Sequence, residues 1–177
     1  MSLRLMTARA GAVALLACGG ILAVGGHLAG AAAACTITGT PGPDTLTGTA
    51  GPDRICGFQG DDTISGWHGD DTLLGGDGND SLDGGIGNDT IIGGKGQDSE
   101  FGSFGTDTLK GNHGSDPVLM GGKGADTIIG GDDHDGIKGG FGPDTIDSAD
   151  GVTDTVDGGP GIDSCNTDLI DTVSNCP

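Results

Sequence analysis

An all-β solenoid is the fold this chain predicts, and three columns of residues in phase predict it. Glycine opens successive units at positions 39, 48, 57, 66, 75, 84, 93, 102 and 111, then at 121, 130 and 139, and again at 158. Aspartate follows at Asp44, Asp53, Asp62, Asp71, Asp80, Asp89, Asp98, Asp107 and Asp116. It continues at Asp126, Asp135 and Asp144, then at Asp154 and Asp163. The aliphatic column is Leu46, Ile55, Ile64, Leu73, Leu82, Ile91, Leu109, Val118, Ile128, Ile137, Ile146 and Val156. The step is nine residues, with one insertion before Gly121 and another before Asp154, and it holds over 14 units. Self-similarity of this kind marks a chain whose units stack on their neighbours instead of enclosing one common core.

The composition points the same way. Of 177 residues, 40 are Gly, none is Tyr, and only four Phe and one Trp occur. A conventional core needs more large apolar side chains than that. Collagen would place Gly at every third residue, and a flexible linker would not keep an aliphatic residue in register.

The first element is a leader. Met1 to Arg9 carries two arginines and no acid, and Ala10 to Ala34 is apolar or Gly apart from Cys18 and His27. A positive start, an apolar middle and a run of four alanines describe a secretory signal peptide over residues 1–34, cleaved near Ala34. Two alternatives are open. Leu15-Leu16-Ala17-Cys18 would make Cys18 the lipidated residue of a cell-surface lipoprotein. The 25-residue apolar run is also long enough to span a bilayer if it is not removed. Each route carries residues 35–177 out of the cytoplasm, and only the latter two would tie the chain to a membrane.

Within each unit, every column has a physical reason. Glycine in the turn supplies positive φ without a Cβ clash and lets carbonyl oxygens converge on an ion. Aspartate, six residues into the unit, is short enough to aim a hard carboxylate oxygen at the same place. The three residues after it form a short strand whose middle side chain faces inward. Thr precedes the aliphatic residue at 45, 63, 72, 90, 108, 127, 145 and 155. That suits an outward strand site, because β-branched residues favour strands.

Formal charge is −19, or −21 once Arg4 and Arg9 are set aside with the leader. All the acids but Glu100 are Asp, which favours turns over helices. Such a charge excludes nucleic acid as a partner, because phosphate is repelled.

The consecutive stretches Gly75-Gly-Asp-Gly-Asn-Asp-Ser-Leu-Asp83 and Gly84-Gly-Ile-Gly-Asn-Asp-Thr-Ile-Ile92 carry a resemblance. The array resembles the haemolysin-type calcium-binding repeat, also called repeats-in-toxin, over nearly all of residues 35–177. The resemblance implies a right-handed parallel β-roll with two nonapeptides per turn, so that units n and n+2 stack over about seven turns. It implies several Ca2+ ions between stacked loops, bound by the 14 column aspartates and by loop carbonyls.

Several positions depart from the pattern. Thr40, Thr49, Phe58, Trp67, Ser103 and Asn112 replace the second glycine, which should weaken those loops. Asp133 stands for the third glycine, at a position an Asp can fill. Glu100 takes an inward aliphatic position, where an unpaired charge is costly. Pro117 falls in a strand, where it removes a donor. Residues 100–121 should therefore form a weak seam.

Cys35, Cys56, Cys165 and Cys176 remain after the leader. Two lie at each end of the array, and solenoid ends need caps, so Cys35–Cys56 and Cys165–Cys176 is the expected pairing. A zinc site would need closer cysteine pairs. His68, His113 and His134 fall at variable loop positions and are expected in solvent. The repeats fill residues 39–166, which leaves no stretch for a separate catalytic domain. The expected protein is thus an exported, non-enzymatic calcium-binding roll whose folding is coupled to calcium. The alternatives are a surface- or ice-binding roll using outward Thr columns, or an accessory partner of an extracellular enzyme.

Overall fold

A computed structural model of the protein describes residues 34–177. The leader, up to residue 33, lies outside the described residues, and with it the expectations for Cys18 and for cleavage.

The described residues form 16 strands. Two short ones open the array, β1 (Ile37–Thr38) and β2 (Thr45–Thr47). Ten six-residue strands follow. The first five are β3 (Arg54–Gln59), β4 (Thr63–His68), β5 (Thr72–Asp77), β6 (Ser81–Ile86) and β7 (Thr90–Lys95). The next five are β8 (Ser99–Phe104), β9 (Thr108–His113), β10 (Val118–Lys123), β11 (Thr127–Asp132) and β12 (Gly136–Phe141). Four three-residue strands close it: β13 (Thr145–Asp147), β14 (Thr155–Asp157), β15 (Ser164–Asn166) and β16 (Thr172–Ser174).

Odd-numbered strands make one eight-stranded sheet in the order β1 to β15, and even-numbered strands make the other from β2 to β16. All pairing is parallel. Each turn uses two strands, so residues 18 apart stack, as in Leu73 on Ile91 on Leu109. Where a residue is inserted the step becomes 19, as in Leu109 on Ile128 and Glu100 on Leu119. The result is a parallel β-roll of about eight turns. The sequence suggested seven because β1 and β16 lie outside the 14 units.

Between the sheets runs a thin core of 11 buried aliphatic side chains, from Ile55 to Val156. They alternate along each strand with outward residues, as the two-residue period of a strand requires. The fourth residue of each six-residue strand is a glycine that also faces inward and is buried, as at Gly75 and Gly93.

Three details differ from the sequence expectation. Strands in the body of the roll run six residues, not three, because they continue through Gly-Gly-x. The second glycine bends the chain at positive φ, 120° at Gly76 and 124° at Gly94. Every turn bends alike, so the ladder to the next turn persists through the bend.

The second difference is that the inward residue of β10 is Leu119, fully buried, and not Val118, which pairs outward with Ser99. Pro117 is the inserted residue. It stands just before β10 and has no N–H to donate, and among the described residues the Asp98 carbonyl one turn earlier goes without the rung its counterparts receive.

The third concerns the outward Thr column, which in chain order is interrupted at Arg54, Ser81, Ser99, Pro117, Gly136 and Ser164. It separates by sheet, and Thr72, Thr90, Thr108, Thr127 and Thr145 stack without interruption on the odd-numbered strands. Of the residues that interrupt the column, Ser81, Ser99 and Gly136, together with Val118, fall on the even-numbered sheet, while Arg54 and Ser164 bound the threonine row on the odd-numbered one.

Candidate metal centre

The two-strand turn divides the column aspartates into two files. Asp44, Asp62, Asp80, Asp98, Asp116, Asp135 and Asp154 precede even-numbered strands, and Asp53, Asp71, Asp89, Asp107, Asp126, Asp144 and Asp163 precede odd-numbered ones. Stacking brings the members of each file together at the strand spacing of about 4.8 Å.

Each file is held by one repeated hydrogen bond, in which the amide of a column aspartate donates to Oδ1 of the aspartate a turn further on. The distance is 2.8 Å from Asp53 to Asp71, from Asp62 to Asp80 and from Asp71 to Asp89. It stays at 2.9 Å across the insertions, from Asp107 to Asp126 and from Asp116 to Asp135.

The other oxygen has no such partner. Oδ2 is buried and without a hydrogen bond in Asp62, Asp71, Asp80, Asp89, Asp98, Asp107, Asp116, Asp126, Asp135, Asp144 and Asp163. It faces the inward glycine of its own unit. A Cβ built on Gly121 would lie 2.5 Å from Asp126 Oδ2 and 2.7 Å from the carbonyl oxygen of Gly139, one turn on. Gly102 has the same neighbours in Asp107 Oδ2 and the Gly121 carbonyl, both at 2.5 Å. Any side chain here would collide with the oxygens, so only glycine permits the arrangement.

Burial of so many carboxylates raises their pKa values. Burial is the main cause, opposed in part by the amide bond from the preceding turn. Asp80, Asp89, Asp98 and Asp116 are pushed up to about 6, and Asp107 and Asp135 to about 7. Neighbouring carboxylates add to the shift at Asp80, Asp89, Asp98, Asp107 and Asp135.

The donor set is therefore carboxylate and carbonyl oxygen alone, with buried anionic oxygens that nothing in the protein neutralises. It fits a hard cation of calcium's kind, which takes several such oxygens at once. Among the described residues no three acidic, His or Cys side chains form a metal cluster by themselves, so carbonyls must complete any set of ligands.

The ends of the files are closed differently, which sequence reasoning missed. The Thr40 amide and hydroxyl donate to Asp44 Oδ2 at 2.6 and 3.0 Å. Thr49 does the same to Asp53 at 2.6 and 2.8 Å and lowers the Asp53 pKa. These two threonines fill second-glycine positions, and unlike Phe58, Trp67, Ser103 and Asn112 they do not adopt positive φ. At the far end Asp171 extends the even file. Its Oδ1 accepts from the Asp154 amide at 3.0 Å, and its Oδ2 from the Asp168 amide at 2.7 Å and the Ser148 hydroxyl at 3.2 Å. The Asp-Thr-Val sequence at 171–173 was its only signal, one residue short of the nine-residue step.

Other expected features lie as follows. Asp133 adopts φ 73°, as its place in the turn requires. Glu100 is fully buried, and its carboxyl is held well above the usual range by burial and by the Asp116 charge. The Gly93 and Lys110 amides come near enough to temper that shift without a hydrogen bond. His68, His113 and His134 are exposed, and His113 Nδ1 meets Asp132 at 2.6 Å. Disulfides join Cys35 to Cys56 and Cys165 to Cys176, with Cα separations of 6.1 and 5.9 Å.

No curated protein matches this chain. A family model described as the RTX calcium-binding nonapeptide repeat (four copies) matches residues 38–73, 69–100 and 118–146. That is just over half of the 177 residues, and the matched stretches carry ten of the 14 column aspartates, with members of both files. By these repeats and by its parallel roll, the chain belongs to the RTX calcium-binding nonapeptide repeat family.

Proposed function

We propose that this protein is an exported, non-enzymatic calcium-binding roll whose folding is coupled to several Ca2+ ions held between stacked loops. The observation that carries this reading is the run of 11 buried Oδ2 atoms without partners. Left bare, each is a desolvated anion opposing the fold, and an ion bound to it and to a glycine carbonyl reverses that sign. The column aspartates from Asp62 to Asp163 are the proposed ligands, with Asp44 and Asp53 weaker because Thr40 and Thr49 already engage their free oxygens.

Two structural disulfides belong in an oxidising compartment, which supports export by the leader at residues 1–34. Calorimetric titration of the exported protein with calcium tests the reading directly. Several ions should bind per chain with gain of β circular dichroism, and full β signal in chelator without calcium uptake would overturn it.

A second reading rests on the unbroken ladder from Thr72 to Thr145, which gives one sheet a regular outward row of hydroxyls and methyls. On that reading the roll binds an ordered surface such as ice. Inhibition of ice growth by the calcium-loaded protein, lost on replacing Thr90 and Thr108 with bulkier residues, distinguishes the two.

A further inference from the structure

Glu100 stands in the aliphatic file of the even-numbered strands, stacked between Leu82 and Leu119. It has no exposure, and neither carboxylate oxygen has a hydrogen-bond partner. Hydrophobic stacking cannot explain a residue that costs so much when unpaired.

Its surroundings can. A Cβ built on Gly93 would lie 2.5 Å from Asp98 Oδ2 and 2.6 Å from Glu100 Oε1. At Gly102 and Gly121 the second oxygen in this position is a glycine carbonyl from the next turn. The Glu100 carboxylate thus sits beside a column aspartate where other turns present a neutral oxygen. Asp116 adds a third carboxylate nearby, its Oδ1 bonded to the Asp98 amide at 2.7 Å and its Oδ2 without a partner.

The backbone is altered at the same place. Elsewhere the first strand residue donates to the carbonyl of the column aspartate a turn earlier, as Ser99 does to Asp80 and Gly136 to Asp116, both at 2.8 Å. Among the described residues, the Asp98 carbonyl receives no such bond from Val118, which follows the inserted Pro117.

We propose that Glu100 is an inward ligand of one calcium ion shared with Asp98, a site with two side-chain carboxylates where neighbouring turns offer one. The proposal rests on the calcium reading of the aspartate files. Affinity in oxygen-ligand sites rises with the charge of the ligand set, so this ion is the one held most tightly.

The test compares the exported protein with Glu100→Gln, which keeps the shape, and Glu100→Leu, which restores the apolar file. Calcium per chain is measured by equilibrium dialysis, and calcium release by mixing with excess fluorescent chelator. The wild type should release one ion more slowly than the rest, by roughly tenfold or more. Both variants should bind one ion fewer and lose the slow phase, and if Glu100→Leu does not fold, Glu100→Gln alone decides. Unchanged stoichiometry and release in Glu100→Gln would overturn the proposal and leave Glu100 as a protonated core group. A wild type that binds no calcium would instead overturn the reading of the files themselves.

Discussion

The Asp71 amide donates to Oδ1 of Asp89, a full turn further along the roll, at 2.8 Å. One oxygen of that carboxylate is a backbone acceptor, while the other faces Gly84 without a partner. The two functions can be separated by mutation. Asp89→Asn keeps an acceptor for the amide and removes the charge, whereas Asp89→Ala removes both. At saturating calcium both variants should lose calcium affinity. Asp89→Ala should be the less stable by about 1–3 kcal/mol, because it leaves the Asp71 amide buried and unpaired. Denaturant unfolding of the two side by side measures the difference, and equal stabilities would mean that the ladder bond contributes nothing.

Without calcium, stability should fall as pH rises. The unperturbed aspartate value is 3.8, while in the roll Asp80, Asp89, Asp98 and Asp116 lie near 6 and Asp107 and Asp135 near 7. Between those limits the folded state binds more protons than the unfolded chain, so each unit of rising pH favours unfolding. The contribution is fully present below about pH 4 and is lost by about pH 7. In chelator, circular dichroism should therefore show more β structure at pH 4–5 than at pH 7. Saturating calcium should reverse the trend, since calcium and protons compete for the same oxygens. A chelated protein insensitive to pH over this range would contradict the buried, unpaired state of the files.

Thr49 holds Asp53 Oδ2 with both its amide and its hydroxyl. Thr49→Gly removes the hydroxyl bond and allows the positive φ that Gly76 and Gly85 adopt. Calcium bound per chain should rise by one, and stability in chelator should drop by about 1 kcal/mol for the lost bond. Equilibrium dialysis reads the first effect, and an unchanged count would mean that Thr49 is not what weakens calcium binding at Asp53.

Each disulfide closes a short loop at one end, with sequence separations of 21 and 11. Replacing either pair by Ser should cost about 3 kcal/mol on the chain-entropy account. Hydrogen exchange at limiting calcium should show the nearer terminal turns opening first, because end turns have a neighbour on one side only. Uniform loss of protection along the roll would argue that the bridges act globally and not as caps.

Most of the architecture was legible because the repeat is short and strict. Three columns in phase decide the period, and the two-residue alternation around Leu73 or Ile91 decides which side chain enters the core. The register failed where that alternation is unreadable. Val118-Leu119-Met120 is apolar throughout, so one extra residue before Gly121 could have been absorbed on either side of the strand. The structure places it at Pro117, the one residue there with no amide for the ladder. The files of the candidate site were legible in position but not in state. That Thr40 and Thr49 engage carboxylates while Phe58 and Trp67 adopt positive φ depends on side-chain reach, which a list of replaced glycines does not contain. Asp171 was hidden by a spacing of eight, and only its bond to the Asp154 amide places it in the file.

Because a turn consumes two units, the chain has a parity. Removing 18 residues, for instance 75–92, deletes one strand from each sheet and leaves every later residue on the side where it began. Removing nine exchanges the sides of everything downstream. The threonine row would be cut and continued on the opposite wall, and the Cys165–Cys176 cap would arrive half a turn out of step with the Cys35–Cys56 cap. Such a roll can be lengthened or shortened in even steps without disturbing what it displays, and every odd step makes a differently faced molecule from the same letters.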